Sequence, residues 1–315
     1  MCGGTIAVMK ISVAVAWLLL SVSSSPSLLS AQTPQPQPQP EFVKQALQLV
    51  HDGKPQEALD VYLNELKTSP GSLPANLGAA GILDWMGKGK DARKHLAKAI
   101  EAADTPEHRV AAERSMAVSY AFERDCGKAI EYEQQVFDFY ASVKNFYQQG
   151  ESADEGARIC LDAGDLEAAQ KWYRIGHDSG LQEPDIKPAR QDLWAFRLEN
   201  AEARIAARRG DSSQAQKHVD AAKAILDKGT IPEQAQFLPS LRGYVAFYGK
   251  DYKAALASFA DANQNDPAIQ CMIAESFEKL GEKDKAQGYY RKASLSASHS
   301  PPAAYAVPLA RKKLR

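Results

Sequence analysis

Three side-chain types in this chain could do chemistry: thiols, imidazoles and carboxylates. Cys126, Cys160 and Cys271 follow the first apolar segment, and no two of them stand at the short spacing that a metal site asks for. His51, His95, His108, His177, His218 and His299 lie far apart, with no HExxH pair, so each reads as a solvated or internally satisfied imidazole. No GxSxG elbow, glycine-rich phosphate loop or calcium loop occurs. Carboxylates are plentiful but scattered, and no two are marked as a catalytic pair. The sequence therefore implies no catalytic residue, no metal site and no cofactor. Basic ARIAARRG (203–210) is short and broken by apolar residues. With 38 basic against 39 acidic side chains the net charge is −1, which argues against nucleic-acid binding.

What remains is recognition, and recognition needs elements that build a surface. From residue 41 onward helical signals dominate, in pairs of runs around short breaks such as Gly210-Asp211. The stretch GYVAFYGKDYKAALASFADANQNDP (243–267) supplies a ruler: Gly243, twelve residues to Ala255, four to Phe259, three to Ala262 and five to Pro267. The ruler fits Ala46, Ala58, Tyr62 and Pro70, then Ala80, Ala92, Leu96 and Ala99. It fits Ala117, Ala129 and Val136, with Glu133 in the large slot, then Gly156, Ala168, Trp172 and Ile175. Ala203, Ala215, Val219 and Ala222, then Ala274, Ala286, Tyr290 and Ala293, complete seven copies. The first slot is Ala or Gly in all seven. Two antiparallel helices approach closely only where side chains are small. The first two slots put such a residue on each helix of a hairpin, and the large slot fills space one turn further on. Pro70 and Pro267 are expected to stop the second helix.

These residues resemble the tetratricopeptide repeat family, with 243–267 the nearest single copy. The resemblance covers about 41–298 and implies an all-α, right-handed α-solenoid of about seven antiparallel hairpins. The spacing is uneven, and the longest interval between second-slot alanines, 47 residues, holds HDSGLQEPDIKPARQDLW (177–194). A loop is expected there, then a long helix from about Pro188 to Arg209. Residues 299–315 read as a C-terminal capping helix with a basic tail, closing the last apolar face.

In this architecture first helices line the concave side. The inward positions fall six and three residues before the first slot, and one and four after it. They yield Asp84 and Arg114, then Arg197, Asn200 and Arg204, then Phe237, Ser240, Tyr244 and Phe247. A cationic strip (Arg114, Arg197, Asn200, Arg204) beside an aromatic one (Tyr244, Phe247) could hold an acidic or C-terminal peptide. Packing between helices is the competing reading of Phe237, Tyr244 and Phe247. The family's carboxylate clamp is represented at best by Asn200 and Arg204, in swapped order. Cys126 begins one helix and Cys160 ends another on the same edge of adjacent hairpins. Two free thiols are the first reading, and a Cys126–Cys160 disulfide the alternative.

The first 31 residues read as a signal peptide: Lys10, then ISVAVAWLLL (11–20), a serine-rich run and small residues before a cut after Ala31. The apolar run is too short to span a bilayer. Residues 32–40, with TPQPQPQP, read as an extended Pro/Gln-rich linker. The expectation is an exported protein, periplasmic or secreted, with no membrane span in the mature chain. Its expected role is a non-enzymatic scaffold that binds a protein or extended peptide of the cell envelope. The alternative is a solenoid that encloses a small ligand or glycan.

Overall fold

A computed structural model describes residues 39–315. The signal-peptide reading and nearly all of the linker lie outside that range. Seven helical hairpins follow one another: α1 (Glu41–His51) with α2 (Pro55–Thr68), α3 (Leu73–Trp85) with α4 (Gly89–Glu101), and α5 (Pro106–Phe122) with α6 (Cys126–Ser142). Then come α7 (Phe146–Ala163) with α8 (Leu166–Gly180), and α9 (Pro188–Arg209) with α10 (Ser212–Leu226). After a 3₁₀ turn at Pro232–Phe237 come α11 (Leu238–Tyr248) with α12 (Tyr252–Ala260), and α13 (Pro267–Lys279) with α14 (Lys283–Ser294). A last helix, α15 (Pro301–Leu314), follows. No strand occurs among the described residues, and none of their helices is long and apolar enough to cross a membrane.

One turn design joins most hairpins. A left-handed residue is followed by an acidic N-cap. Gly164 and Gly210 take φ +100° and +79°, and Asp165 and Asp211 then accept from the backbone N–H groups of Ala168 and Gln214. Arg124 and Lys250 hold the same position at φ 59° and 65°, before the caps Asp125 and Asp251. These caps meet N–H groups that would otherwise lack a partner at the start of the second helix.

The small slots are buried. Ala46, Ala80, Ala117, Ala203 and Ala274, with Ala58, Ala92, Ala129, Ala215 and Ala255, are fully shielded from solvent. At Gly243 even a methyl group would not fit, because a Cβ there would lie 2.5 Å from the Phe259 ring. Glu133, in a large slot, is 0 % exposed.

Two expectations are corrected. In the fourth hairpin Ala168 and Ile175 are only half-buried, whereas Ala157, Ala169, Tyr173 and Gly176 are buried at the same intervals. The register of that copy is one residue later than Gly156, Ala168, Trp172 and Ile175. Pro267 does not stop α12, which ends at Ala260; it opens α13 behind the N-cap Asp266. There its missing N–H costs nothing. The long helix α9 spans Pro188–Arg209, after the connection through Pro184.

The last helix does more than cover the final hairpin. α15 packs on α13 and α14, and also on α3, α5 and α7, the first helices of the second, third and fourth hairpins. His299 Nε2 lies 2.9 Å from Asp84 Oδ2, and its ring stacks on Phe122 with centroids 5.7 Å apart. Arg311 donates to the carbonyl of Trp85 and covers that indole at 4.1 Å. The concave side of the array is thus walled by its own C-terminus.

Candidate functional site

A cavity of about 610 Å³ opens on the inner faces of α5, α7, α9, α11 and α13, with Pro301 and Pro302 of α15 at its wall. Its size is that of a pocket for a small molecule or a few peptide residues. The inward positions of four first helices converge there. α5 brings Arg114; α7 brings Glu151, Asp154 and Arg158; α9 brings Arg197, Asn200 and Arg204; α11 and the 3₁₀ turn bring Phe237, Ser240 and Tyr244. Phe237 is 46 % exposed, an apolar ring at the mouth.

The expected cationic strip is instead a balanced network. Arg197 pairs with Glu151, and its guanidinium lies 4.9 Å from the Trp194 ring centroid. Arg114 Nε lies 3.0 Å from Glu155 Oε2, and Arg158 Nε 2.8 Å from Asp162 Oδ2. Asp266 is spent on capping α13. Arg204 donates to the Tyr173 hydroxyl at 3.1 Å, while its Nε is buried without a partner. Burial pushes the Asp154 carboxyl up to about 7, against the opposing charge of Arg197. Burial likewise raises Glu155, despite Arg114 beside it. Behind them Glu133 is held well above the usual carboxylate range by burial and then by the charge of Glu155, and neither of its oxygens finds a partner.

Of the residues expected from sequence, Arg114, Arg197, Asn200, Arg204 and Tyr244 line this cavity. Phe247 does not; it packs edge-on against Tyr248 and Tyr252, with centroids 5.2 and 5.8 Å away. Its position, four after the first slot, lies outside the cavity, as do Ala121 and Ala207 at the same place in their copies. Asp84 is also elsewhere, holding His299 and the Ser119 hydroxyl. Cys126 and Cys160 are joined by a disulfide that ties the start of α6 to the last turn of α7. Cys271 is buried; its thiol donates to the Ala306 carbonyl at 3.4 Å, and burial raises its pKa far above the usual thiol value.

Sequence reasoning missed Glu151, Asp154 and Arg158. They are the inward positions six and three before, and one after, Ala157. A signal for the right register was present. In the third, fifth and sixth copies the cap Asp125, Asp211 or Asp251 stands four residues before the second-slot alanine. Asp165 plus four is Ala169, not Ala168. Among the described residues, no group of three or more His, Cys, Asp or Glu side chains is arranged to hold a metal ion.

No family model and no curated protein sequence matches the chain. Solved structures do. The apo form of RapI is similar at 11 % identity and a TM-score of 0.52, over 87 % of this chain and 97 % of that one. A Rap protein in complex with the competence and sporulation factor is similar at 14 % identity and a TM-score of 0.50, over 87 % and 74 %. A tetratricopeptide repeat protein from Parabacteroides merdae aligns at 13 % identity and a TM-score of 0.46, over 87 % and 96 %. Seven stacked hairpins with small residues at the ruled positions, together with the two likenesses at a TM-score of 0.50 or more, lead to one conclusion. The chain has the all-helical fold of the tetratricopeptide-repeat proteins.

Proposed function

We propose that this chain is a non-enzymatic binding scaffold of the cell envelope, and that the concave cavity receives a short segment of a protein or peptide. The observation that carries this reading is the convergence of inward side chains from α5, α7, α9 and α11 on one cavity of about 610 Å³. Exposed Phe237 offers an apolar contact, and Asn200 and Arg204 offer polar ones. The wall made by α15 favours a short occupant over a chain running the length of the array. A protein of like fold, Rap, is solved with the competence and sporulation factor, which fits a binding role. A photo-crosslinking residue at Ser240, used in the producing cell, is expected to capture peptide adducts that a control at Lys171 on α8 does not. Identical adduct profiles at both positions would refute the reading.

We propose export on two supports. The apolar run 11–20 behind Lys10 has the pattern of a secretory leader. The Cys126–Cys160 bridge belongs to an oxidising compartment. N-terminal sequencing of protein from the medium or periplasm is expected to begin at Gln32. Recovery of the unprocessed chain from the cytosol alone would overturn this.

A further inference from the structure

The charged groups of the cavity are nearly all committed to one another. Glu151 holds Arg197, Glu155 faces Arg114, Asp162 holds Arg158, and Asp266 caps a helix. Arg114 Nε makes no well-formed hydrogen bond but has Glu155 within ion-pair distance; two groups of opposite sign, on α7 and α9, lack an ion-pair partner of their own among the described residues. Arg204 has no carboxylate partner among the described residues; its Nε is closed off by protein, which leaves Nη1, accessible and without a hydrogen bond, as the edge an occupant can meet. Its one hydrogen bond goes to a neutral phenol, Tyr173. Asp154 accepts no hydrogen bond among the described residues. Its nearest cation, Arg197 Nη1, is 4.0 Å away and already engaged with Glu151. The two leftover groups do not pair with each other, although both line the same cavity.

A guanidinium whose one partner is a neutral phenol and a carboxyl that accepts no hydrogen bond, both facing one cavity, present opposite charges that an occupant can answer. An anion alone would answer Arg204 and leave Asp154; a cation alone would do the reverse. We infer that the cavity takes a zwitterion, with a free carboxylate accepting from Arg204 and a free ammonium donating to Asp154. Phe237, Leu241 and Met272, also in the lining, suit an apolar side chain between those ends. The chemical class is the free α-amino acid or the di- or tripeptide with both ends uncapped. A long segment, whose ends lie elsewhere, would bring one such group at most. This inference rests on the cavity being the binding site and goes further by naming the end groups it reads.

The test uses the purified chain with residues 32–315 and three probes: the pooled common amino acids, a random dipeptide pool and a random tripeptide pool. At least one pool is expected to raise the thermal midpoint, and which one identifies the source of the zwitterion. The best single binder, re-made with an N-acetyl or a C-terminal amide, is expected to lose about tenfold or more in affinity by calorimetry, the size of a lost charge-assisted contact. Asp154→Asn should abolish discrimination against the acetylated form alone, and Arg204→Gln against the amide alone. If either variant fails to fold, the capped ligands on the wild-type chain decide by themselves. Silence from all three pools, or equal affinity for capped and uncapped forms, overturns the inference. If Ser240 still crosslinks a protein segment in that case, the broader reading stands without it; if crosslinking is silent too, both fall.

Discussion

Asp84, on the third helix and 2 % exposed, faces His299 across 2.9 Å, joining residues 215 positions apart in the chain. The Ser119 hydroxyl donates to the other oxygen of the same carboxylate at 2.9 Å. His299→Ala would leave that buried charge with Ser119 alone. The expected loss of stability is about 1.5–3 kcal/mol, the range for a hydrogen bond to a charged group. Urea unfolding measures the loss, and amide exchange should show α15 opening before the rest. Unchanged protection of α15 would mean that the helix is held by apolar packing without the pair.

The Cys126–Cys160 bridge encloses a separation of 34 residues. A loop of that length gives about 3–4 kcal/mol in the chain-entropy account. The double replacement by alanine, or reduction with the other thiol buried, should lower stability by that much. The helical circular dichroism should persist, because α6 and α7 also pack along their whole length. Alkylation with and without reductant, read by mass, checks the bridge itself.

Glu133 occupies the slot that holds Leu96 and Phe259 in other copies, and both its oxygens lack a partner. Glu133→Leu should stabilise the chain at pH 7 by about 1–3 kcal/mol, the cost of an unsatisfied buried polar group. The same urea midpoint reads it. A loss instead would show that Glu133 supports the Arg114–Glu155 contact in front of it.

Asp154 links stability to pH. Its charged neighbours are Glu151 and Glu155 on its own helix and Arg197 and Arg204 on α9. Burial raises its folded pKa to about 7, above the ordinary carboxylate value. The fold therefore favours the protonated form. Its contribution is fully present below about pH 4, where both states are protonated, and is lost as pH rises through about 7. Stability should fall between those limits, and Asp154→Asn should flatten part of the fall. Unfolding at pH 5 and pH 8, wild type against variant, is the comparison. Glu133 and Glu155, raised for the same cause, leave a remainder of the same sign.

The fold was legible because its rule is local. Small residues twelve apart, and an acidic cap before the second helix in the third to sixth hairpins, are fixed by the geometry of one hairpin. Pro188 to Arg209 could be read as one helix because proline begins it and glycine ends it. The site was half legible. Arg114, Arg197, Asn200 and Arg204 followed from counting. Glu151, Asp154 and Arg158 did not, because Gly156/Ala168 and Ala157/Ala169 both satisfy the spacing and Trp172 and Tyr173 both offer a ring. The cap Asp165, four residues before Ala169, is the sequence signal that separates the two registers. That Arg114 and Arg197 are neutralised depends on which carboxylates, Glu155 and Glu151, lie across from them. Those neighbours belong to other copies. The return of α15 to α3 and α5 joins distant parts of the chain, such as His299 and Asp84, 215 residues apart, and no periodic pattern encodes it.

That return alters how the molecule should come apart. A stack touching only nearest neighbours frays from its ends, one unit at a time. Here the last segment is fastened beside the second, third and fourth units, so the C-terminal end is not loose while the first hairpin still is. Melting of units two to seven should be closer to all-or-none than a linear stack of this length would give. Trimming the final fifteen residues should free the last hairpin to fray and uncouple it from the second to fourth.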